Sequence, residues 1–200
     1  MTKLKIIGLT GQSGAGKTTV SEVLSKKGLT VINADLLVRE LYKVGSPCLK
    51  ILSAQFGEEV INADGTLNRA MLAEKVFSSK ENTQLLNSLI HPFVISLFLE
   101  RAKNAQKIGE RTLVFDAPQL FESKADVICD KVIAVVACKE KRIQRICLRD
   151  NISKEEAIKR IDAQLSEDFF RANSDYVIEN NLDLDALKKQ TLELLNSLMY

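Results

Sequence analysis

Short apolar runs alternate along the chain with stretches in which apolar residues recur every three or four positions. Five of the runs have the length and composition of buried strands, and they cover residues 4–9, 30–32, 113–115, 131–137 and 176–178. Continuously apolar strands separated by helices are typical of a parallel sheet covered on both faces. The pattern therefore predicts an α/β fold: a five-stranded parallel sheet with helices on both faces.

Two helical segments are longer than a simple crossover between parallel strands. About eighty residues separate the second and third predicted strands, and another helical stretch runs from residue 139 to 165. Helix starts are marked by a capping Ser followed by Pro, or by Glu three positions later, at Ser46-Pro47, Ser78 to Glu81 and Ser153 to Glu156. We predict one core with two helical insertions.

Composition narrows the class of protein without giving a function. The 200 residues are 46% hydrophobic and carry a net charge of +2, which excludes disorder and argues against general affinity for nucleic acid or membranes. The longest apolar run, residues 132–138, has seven residues, whereas a membrane span needs roughly 20. The four cysteines show neither a C-x-x-C pair nor zinc-site spacing, so we expect reduced thiols in a cytoplasmic protein.

The first predicted strand is followed by a phosphate-binding loop (P-loop). Its sequence fits G-x-x-x-x-G-K-[ST], and the expected nucleotide site is Gly11, Gln12, Ser13, Gly14, Ala15, Gly16, Lys17, Thr18 and the next residue, Thr19. Glycines let successive backbone N–H groups wrap a phosphate, and the following helix presents its positive end to the same anion. Lys17 reaches the β- and γ-phosphates, and the Thr18 hydroxyl binds Mg²⁺. The sequence therefore predicts a nucleoside triphosphate site.

Two acidic residues follow predicted strand ends, where parallel sheets bind their ligands. Asp35 could accept a proton from a substrate hydroxyl, and Asp116 could hold Mg²⁺ directly or through water. Asp is also a common helix cap, which leaves a structural role open for each of them.

Arg142, Arg145 and Arg149 share one face of a predicted helix. Such a face is commonly just solvated, but phosphoryl transfer requires charge neutralisation, and an arginine-bearing lid would supply it. His91 is the only histidine, so it cannot form a histidine metal cluster, and a packed or capping role is open to it.

A phosphate-transferring enzyme and a nucleotide-dependent switch or binding module both fit a P-loop. GTPase switches carry N-K-x-D after a strand, whereas the nearest string here, Ser123-Lys124-Ala125-Asp126, lacks Asn and precedes a strand. A kinase is therefore favoured over a switch.

Further strings accompany the P-loop in a fixed order. They are Asn33-Ala34-Asp35, Leu67-Asn68-Arg69, His91-Pro92, Asp116-Ala117-Pro118-Gln119-Leu120-Phe121-Glu122, Arg149-Asp150 and Asp175-Tyr176-Val177-Ile178-Glu179-Asn180. Together they resemble the dephospho-coenzyme A kinase family, and the resemblance covers nearly the whole chain. The P-loop alone indicates only a superfamily, whereas the His-Pro and Asp-x-Pro strings are far more specific.

The resemblance implies that ATP and Mg²⁺ are used to phosphorylate the ribose 3′-hydroxyl of dephospho-CoA, the last step of coenzyme A synthesis. Residues 36–108 would bind the acceptor, 139–165 would form the lid, and 1–35, 109–138 and 166–200 would form the kinase core. Asp35 would orient or deprotonate the acceptor hydroxyl, with Arg69, His91 and Asp116 on the acceptor side. Arg149 and Arg145 would cover the phosphates, and Asn180 would lie near the adenine. We expect a monomer or weak oligomer.

Two alternatives stay open: a nucleoside or nucleotide kinase with the same core and lid, and a non-catalytic nucleotide-binding module. Four positions depart from the family pattern, namely Gln12 for Gly, Ala15 for Ser, Asn33 for Asp and Gln119 for Leu. None of these changes removes Lys17, Thr18, Asp35 or Asp116. Gln12 is the most consequential, because a side chain there could narrow the phosphate loop.

Overall fold

The computed structural model describes residues 3–199, and the chain divides into two compact units. One unit comprises Met1–Ile32 and Glu110–Tyr200, and the other comprises Asn33–Gly109. The strands are β1 (Lys5–Gly11), β2 (Thr30–Asn33), β3 (Thr112–Asp116), β4 (Lys131–Val136) and β5 (Tyr176–Glu179). The α-helices are α1 (Lys17–Lys26), α2 (Ala34–Leu41), α3 (Pro47–Phe56), α4 (Arg69–Phe77), α5 (Lys80–Lys107), α6 (Lys139–Asp150), α7 (Lys154–Asp162), α8 (Glu167–Asn173) and α9 (Leu184–Met199).

The five strands form one parallel sheet in the order β2-β3-β1-β4-β5, which confirms the predicted fold class. β1 is central, and Ile7 lies opposite Val114 of β3 and Lys131 of β4. The last five residues of β1 are all buried, as expected for a strand covered on both sides. The loop after β1 therefore leaves the sheet between the carboxyl ends of β3 and β4.

Alternate residues of β4 show how both faces of the sheet are covered. Ile133 and Val135 belong to a core cluster that includes residues of α1 and α9, whereas Ala134 and Val136 pack with Phe170 of α8. Since successive strand residues point to opposite faces, helices lie on both sides of the sheet. Each apolar position of this strand is thus buried, which explains its uninterrupted apolar sequence.

The predicted helical stretch from 139 to 165 consists of two helices. α6 ends at Asp150 and is followed by its cap Asn151, which adopts a left-handed conformation with φ of 51°, and Ser153 caps the start of α7. The predicted capping box is confirmed, because the Ser153 hydroxyl accepts from the Glu156 N–H and the Glu156 carboxylate accepts from the Ser153 N–H. Ile146, Ala157 and Ile161 form the small apolar core that joins the two helices.

The unit 33–109 contains α2 to α5, and its caps explain where these helices begin. Ser46 caps α3 with Pro47 at the first turn, as predicted. The predicted start at Ser78 is wrong by one residue, because the Ser78 hydroxyl donates to the Lys75 carbonyl at the end of α4. Ser79 has extended backbone and accepts from the Asn82 N–H instead, so it caps α5. The segment between α3 and α4 is also less helical than expected, since Ile61 and Leu67 form a β-bridge.

By length and composition, α5 could cross a membrane, with a mean hydropathy of 1.2 over its most apolar window. The core helix of a soluble protein passes the same test. Ile90, Val94, Phe98 and Ala102 recur every four residues and are buried on one side of α5, which packs against α2, α3 and α4. In this structure α5 is thus the central helix of its unit.

Candidate active site

The P-loop connects β1 to α1 through glycines that no other residue could replace without strain. Gly14 has φ of 77° and Gly16 has φ of 103°, both in the region that disfavours a Cβ. A Cβ on Gly14 would lie 2.8 Å from the Arg142 carbonyl oxygen, and one on Gly16 would lie 2.4 Å from Asn180 Nδ2. Gly16 caps α1 without a side-chain hydrogen bond, so no capping side chain competes with an anion for the N–H groups at the start of α1.

Lys17 and Asp116 form a nearly buried ion pair beside the loop. Lys17 is the first residue of α1, and Asp116 ends β3, directly opposite Leu9 of β1. The Lys17 ammonium contacts Asp116 Oδ1, and 14% of the Lys17 side chain and 3% of the Asp116 side chain are exposed. Asp116 therefore holds the ammonium group in a fixed position next to the P-loop. A phosphate arriving there would meet a positive charge that is already oriented.

Arg145 and Asn180, both predicted to contact the nucleotide, are brought to the P-loop main chain. Arg145 donates to the Gly14 carbonyl at 3.2 Å and to the Asn180 carbonyl at 3.1 Å. The Asn180 amide donates to the Ala15 carbonyl at 2.8 Å. These bonds hold the loop main chain at Gly14 and Ala15, so both residues help to maintain the shape of the loop. Whether Asn180 also lies near an adenine stays a prediction.

Arg149 lies further along α6 and has a different environment. It donates two hydrogen bonds to Asp150, at 2.8 and 2.9 Å, and 59% of its side chain is exposed. Arg160 contacts the same carboxylate. The bond from Arg149, with the charges of Arg149 and Arg160, lowers the pKa of Asp150 to about 2. The three arginines predicted on one helix face differ in burial: Arg142 is buried, Arg145 is half-buried and Arg149 is exposed.

Of the residues predicted on the acceptor side, Asp35, Arg69 and His91 occupy separate elements of the unit 33–109, whereas Asp116 ends β3 in the other unit. Asp35 is exposed in the first turn of α2, whose cap is Asn33, and His91 is half-buried in α5 immediately before Pro92. Asn33 accepts from the Leu36 N–H, which gives this departure from the family pattern a structural role. Their roles toward a substrate stay predictions.

Arg69 begins α4, and its guanidinium lies 5.6 Å from the centre of the Tyr42 ring. Burial raises the pKa of Tyr42 to about 12, which the charge of Arg69 opposes. The phenol is therefore neutral at pH 7, and the ring offers Arg69 a cation–π contact. No sequence signal indicated Tyr42 as a partner of Arg69.

Gln12 is a buried residue of the loop, and its effect on the width of the phosphate loop stays a prediction. It is 4% exposed, its N–H donates to the Val135 carbonyl at 3.2 Å, and its side-chain oxygen has no hydrogen-bond partner within residues 3–199. The Ser13 main chain is hydrogen-bonded to Arg142 and Gln164. The sequence pattern had indicated Arg142 as a candidate site residue, whereas nothing in the sequence indicated Gln164.

The oxygen donors near the loop fit a magnesium ion. Thr18 supplies a hydroxyl at the start of α1, and Asp116 supplies a buried carboxylate. In the described part of the chain, no three His, Cys, Asp or Glu side chains converge as a metal cage. Mg²⁺ commonly takes few protein ligands and completes its shell with water and substrate phosphates, so this sparse oxygen set suits it.

Known proteins match this chain in both sequence and structure. Residues 5–186 match the family model described as dephospho-CoA kinase. A dephospho-CoA kinase of Listeria monocytogenes serotype 4b is 40% identical over 188 residues, which are 94% of each chain. A Thermus thermophilus protein of known structure superposes with a TM-score of 0.79 at 30% identity, covering 98% of both chains. A dephospho-CoA kinase from Campylobacter jejuni shares the fold, with a TM-score of 0.63 at 23% identity and 96% of both chains covered.

Proposed function

Since the chain belongs to the dephospho-CoA kinase family, we propose how its own residues carry out ATP-dependent phosphorylation of dephospho-CoA. The chain is a kinase, and its reaction gives coenzyme A and ADP as the final step of coenzyme A biosynthesis. The observation that carries the proposed mechanism is the Lys17–Asp116 pair beside a P-loop held on several sides.

ATP binds with its phosphates against the P-loop amides and the start of α1. Lys17, whose ammonium group contacts Asp116 beside the loop, exchanges part of that contact for the β- and γ-phosphate oxygens. Thr18 and Asp116 would hold Mg²⁺, which would supply charge neutralisation on the phosphates. The braces from Arg145 and Asn180 keep the loop in place, so little reorganisation accompanies binding.

The acceptor binds to the unit 33–109, with Arg69 and His91 lining its site. Asp35 accepts the proton of the ribose 3′-hydroxyl while the 3′-oxygen attacks the γ-phosphorus. The bond between the γ-phosphorus and the β–γ bridging oxygen breaks in line, and ADP leaves with the electron pair. A loose transition state gains little from a base, so positioning is the larger part of what Asp35 does.

Arg145 and Arg149 have different roles in the lid. Arg145 already donates to two main-chain carbonyls, which makes it a positioning residue for the loop. Arg149 is exposed, and within residues 3–199 it pairs with the carboxylate oxygens of Asp150, so it can exchange Asp150 for the transferring phosphate. We place the reaction in the cytoplasm, where the four free thiols of this chain would stay reduced, and in a monomer or weak oligomer.

An acceptor screen tests the proposed function. ADP release is followed with dephospho-CoA, with nucleoside monophosphates and with no acceptor. We expect strong stimulation by dephospho-CoA alone, and Lys17→Ala should abolish it. Preference for a nucleoside monophosphate would indicate a nucleotide kinase, and ATP binding without acceptor-stimulated release would indicate a binding module. Near-normal activity of Lys17→Ala would refute the role of the P-loop lysine.

A further inference from the structure

The peptide groups on both sides of Ser13 are held by side chains from the segment 139–165. The Ser13 N–H donates to Gln164 Oε1 at 3.0 Å, and the Ser13 carbonyl accepts from Arg142 Nε at 3.0 Å. A second Arg142 nitrogen donates to the same Gln164 oxygen at 2.8 Å. Arg142, Gln164 and the Ser13 main chain therefore form a closed set of hydrogen bonds, which we call the Ser13 clamp.

Both clamp side chains are fixed by their own elements. Arg142 lies in the first turn of α6, is 4% exposed, and its N–H donates to the Cys138 carbonyl. Gln164 follows α7, and its N–H donates to the Ile161 carbonyl at 3.1 Å. Burial lowers the pKa of Arg142, which the charges of Glu167 and Asp162 oppose, and the Ser13 and Gln164 oxygens that accept its hydrogen bonds are neutral.

The clamp determines where the neighbouring peptide groups point. A trans peptide is planar, with its N–H and C=O directed oppositely, and the described part of the chain contains no cis bonds. Because Gln164 holds the Ser13 N–H, the Gln12 carbonyl points the other way, where it accepts from the Ala15 N–H at 3.0 Å. Because Arg142 holds the Ser13 carbonyl, the Gly14 N–H is directed away from the Arg142 guanidinium. That N–H belongs to the loop in which we propose that ATP phosphates bind.

We propose that Gln164 is a positioning residue for ATP: together with Arg142 it sets the orientation of the P-loop amides at Ser13 and Gly14. The proposal rests on the proposed function only in that the P-loop binds the triphosphate. Gln164 Oε1 accepts hydrogen bonds both from the Ser13 N–H and from Arg142 of α6. Residues near the beginning and the end of the segment 139–165 are therefore hydrogen-bonded to each other and to the P-loop. ATP affinity therefore depends on a side chain that does not itself contact ATP.

The test compares two substitutions of Gln164 with one control. Gln164→Met keeps the length of the side chain but removes its acceptor, whereas Gln164→Glu keeps an acceptor for both donors. Gln144 is exposed on α6, so Gln144→Met changes the same residue types outside the clamp. Direct titration gives the Kd of Mg·ATP without acceptor, steady-state assays give both KM values, and thermal unfolding shows whether each variant is folded.

We expect Gln164→Met to weaken ATP binding about 10-fold, which is the loss of roughly one to two hydrogen bonds, while the KM for dephospho-CoA changes less than about 2-fold. Gln164→Glu should restore most of the affinity, and Gln144→Met should match the wild type. Unchanged ATP affinity in Gln164→Met, or equal weakening toward both substrates, would overturn the proposal. If Gln164→Met does not fold, Arg142→Lys decides in the same way, because Lys cannot make both Arg142 bonds in this geometry. If the wild-type protein binds ATP but phosphorylates another acceptor, the proposed function fails and the clamp stands.

Discussion

Replacing Gly16 by Ala tests whether the P-loop shape depends on the contact between Gly16 and Asn180. The new Cβ would lie 2.4 Å from Asn180 Nδ2, a separation that forces a shift. Asn180 cannot move freely, because its amide donates to the Ala15 carbonyl and its side-chain oxygen accepts from Arg145. Relief of the clash therefore breaks at least one of the bonds that hold the loop.

The magnitude follows from two contributions. A left-handed backbone at φ of 103° disfavours an L side chain by about 1–2 kcal/mol. Loss of one or two hydrogen bonds of Asn180 adds roughly 0.5–1.5 kcal/mol each. The sum is about 1.5–5 kcal/mol, and a protein of this size loses roughly 2–4 °C in Tm per kcal/mol. We expect Gly16→Ala to lower the Tm by about 3–20 °C.

Gly28→Ala is the matched control, because Gly28 has φ of 86° but its Cβ would meet nothing within 4 Å. Only the backbone strain applies there, so its Tm should fall by about 2–8 °C. In an Asn180→Ala background, the additional penalty of Gly16→Ala should disappear. Thermal unfolding followed by circular dichroism measures the wild type and all four variants. Equal penalties at Gly16 and Gly28 would refute the reasoning, as would a Gly16 penalty that still exceeds the Gly28 penalty when the Asn180 side chain is absent.

Three further predictions concern the acceptor and the lid. Asp35→Asn should lower turnover by roughly 10²–10⁴-fold, nearer the lower value, with the KM for dephospho-CoA maintained; steady-state kinetics with unchanged turnover would remove its role as base. Tyr42→Leu should raise that KM about 2–5-fold through loss of the Arg69 cation–π contact, whereas Tyr42→Phe should not; identical values for both variants would contradict this contact. Because Arg149 lowers the pKa of Asp150 below its unfolded value of about 3.9, the stabilisation is present above that pH and is lost as the pH falls toward 2. The Tm difference between wild type and Asp150→Asn should stay constant from pH 8 to 5 and shrink below about pH 4; a difference that does not depend on pH would exclude this pairing.

The sheet could be predicted because its strands are buried on both faces and so carry uninterrupted apolar runs, as in β4. The P-loop could be predicted because its glycines meet a local backbone requirement. The start of α5 was misplaced because Ser78 and Ser79 are both capable caps, and only the end of α4 decides which hydroxyl is available.

The contacts that hold the site together could not be predicted in the same way. Gln164 lies 151 residues from Ser13 in sequence, and a single glutamine carries no local signal. The three arginines of α6 satisfied one helical pattern, yet their environments differ because Arg142 and Arg145 bond to the P-loop while Arg149 bonds to Asp150. Such assignments depend on tertiary pairing rather than on residue type or spacing.

The position of the transferred phosphate is the most direct test of the central claim. The purified protein is incubated with Mg·ATP and dephospho-CoA, and the product is examined by mass spectrometry and ³¹P NMR. We predict a gain of one phosphate as a monoester on the ribose 3′-oxygen, with one ADP formed per product. A phosphate at another position, or ADP formation with dephospho-CoA left unchanged, would contradict it.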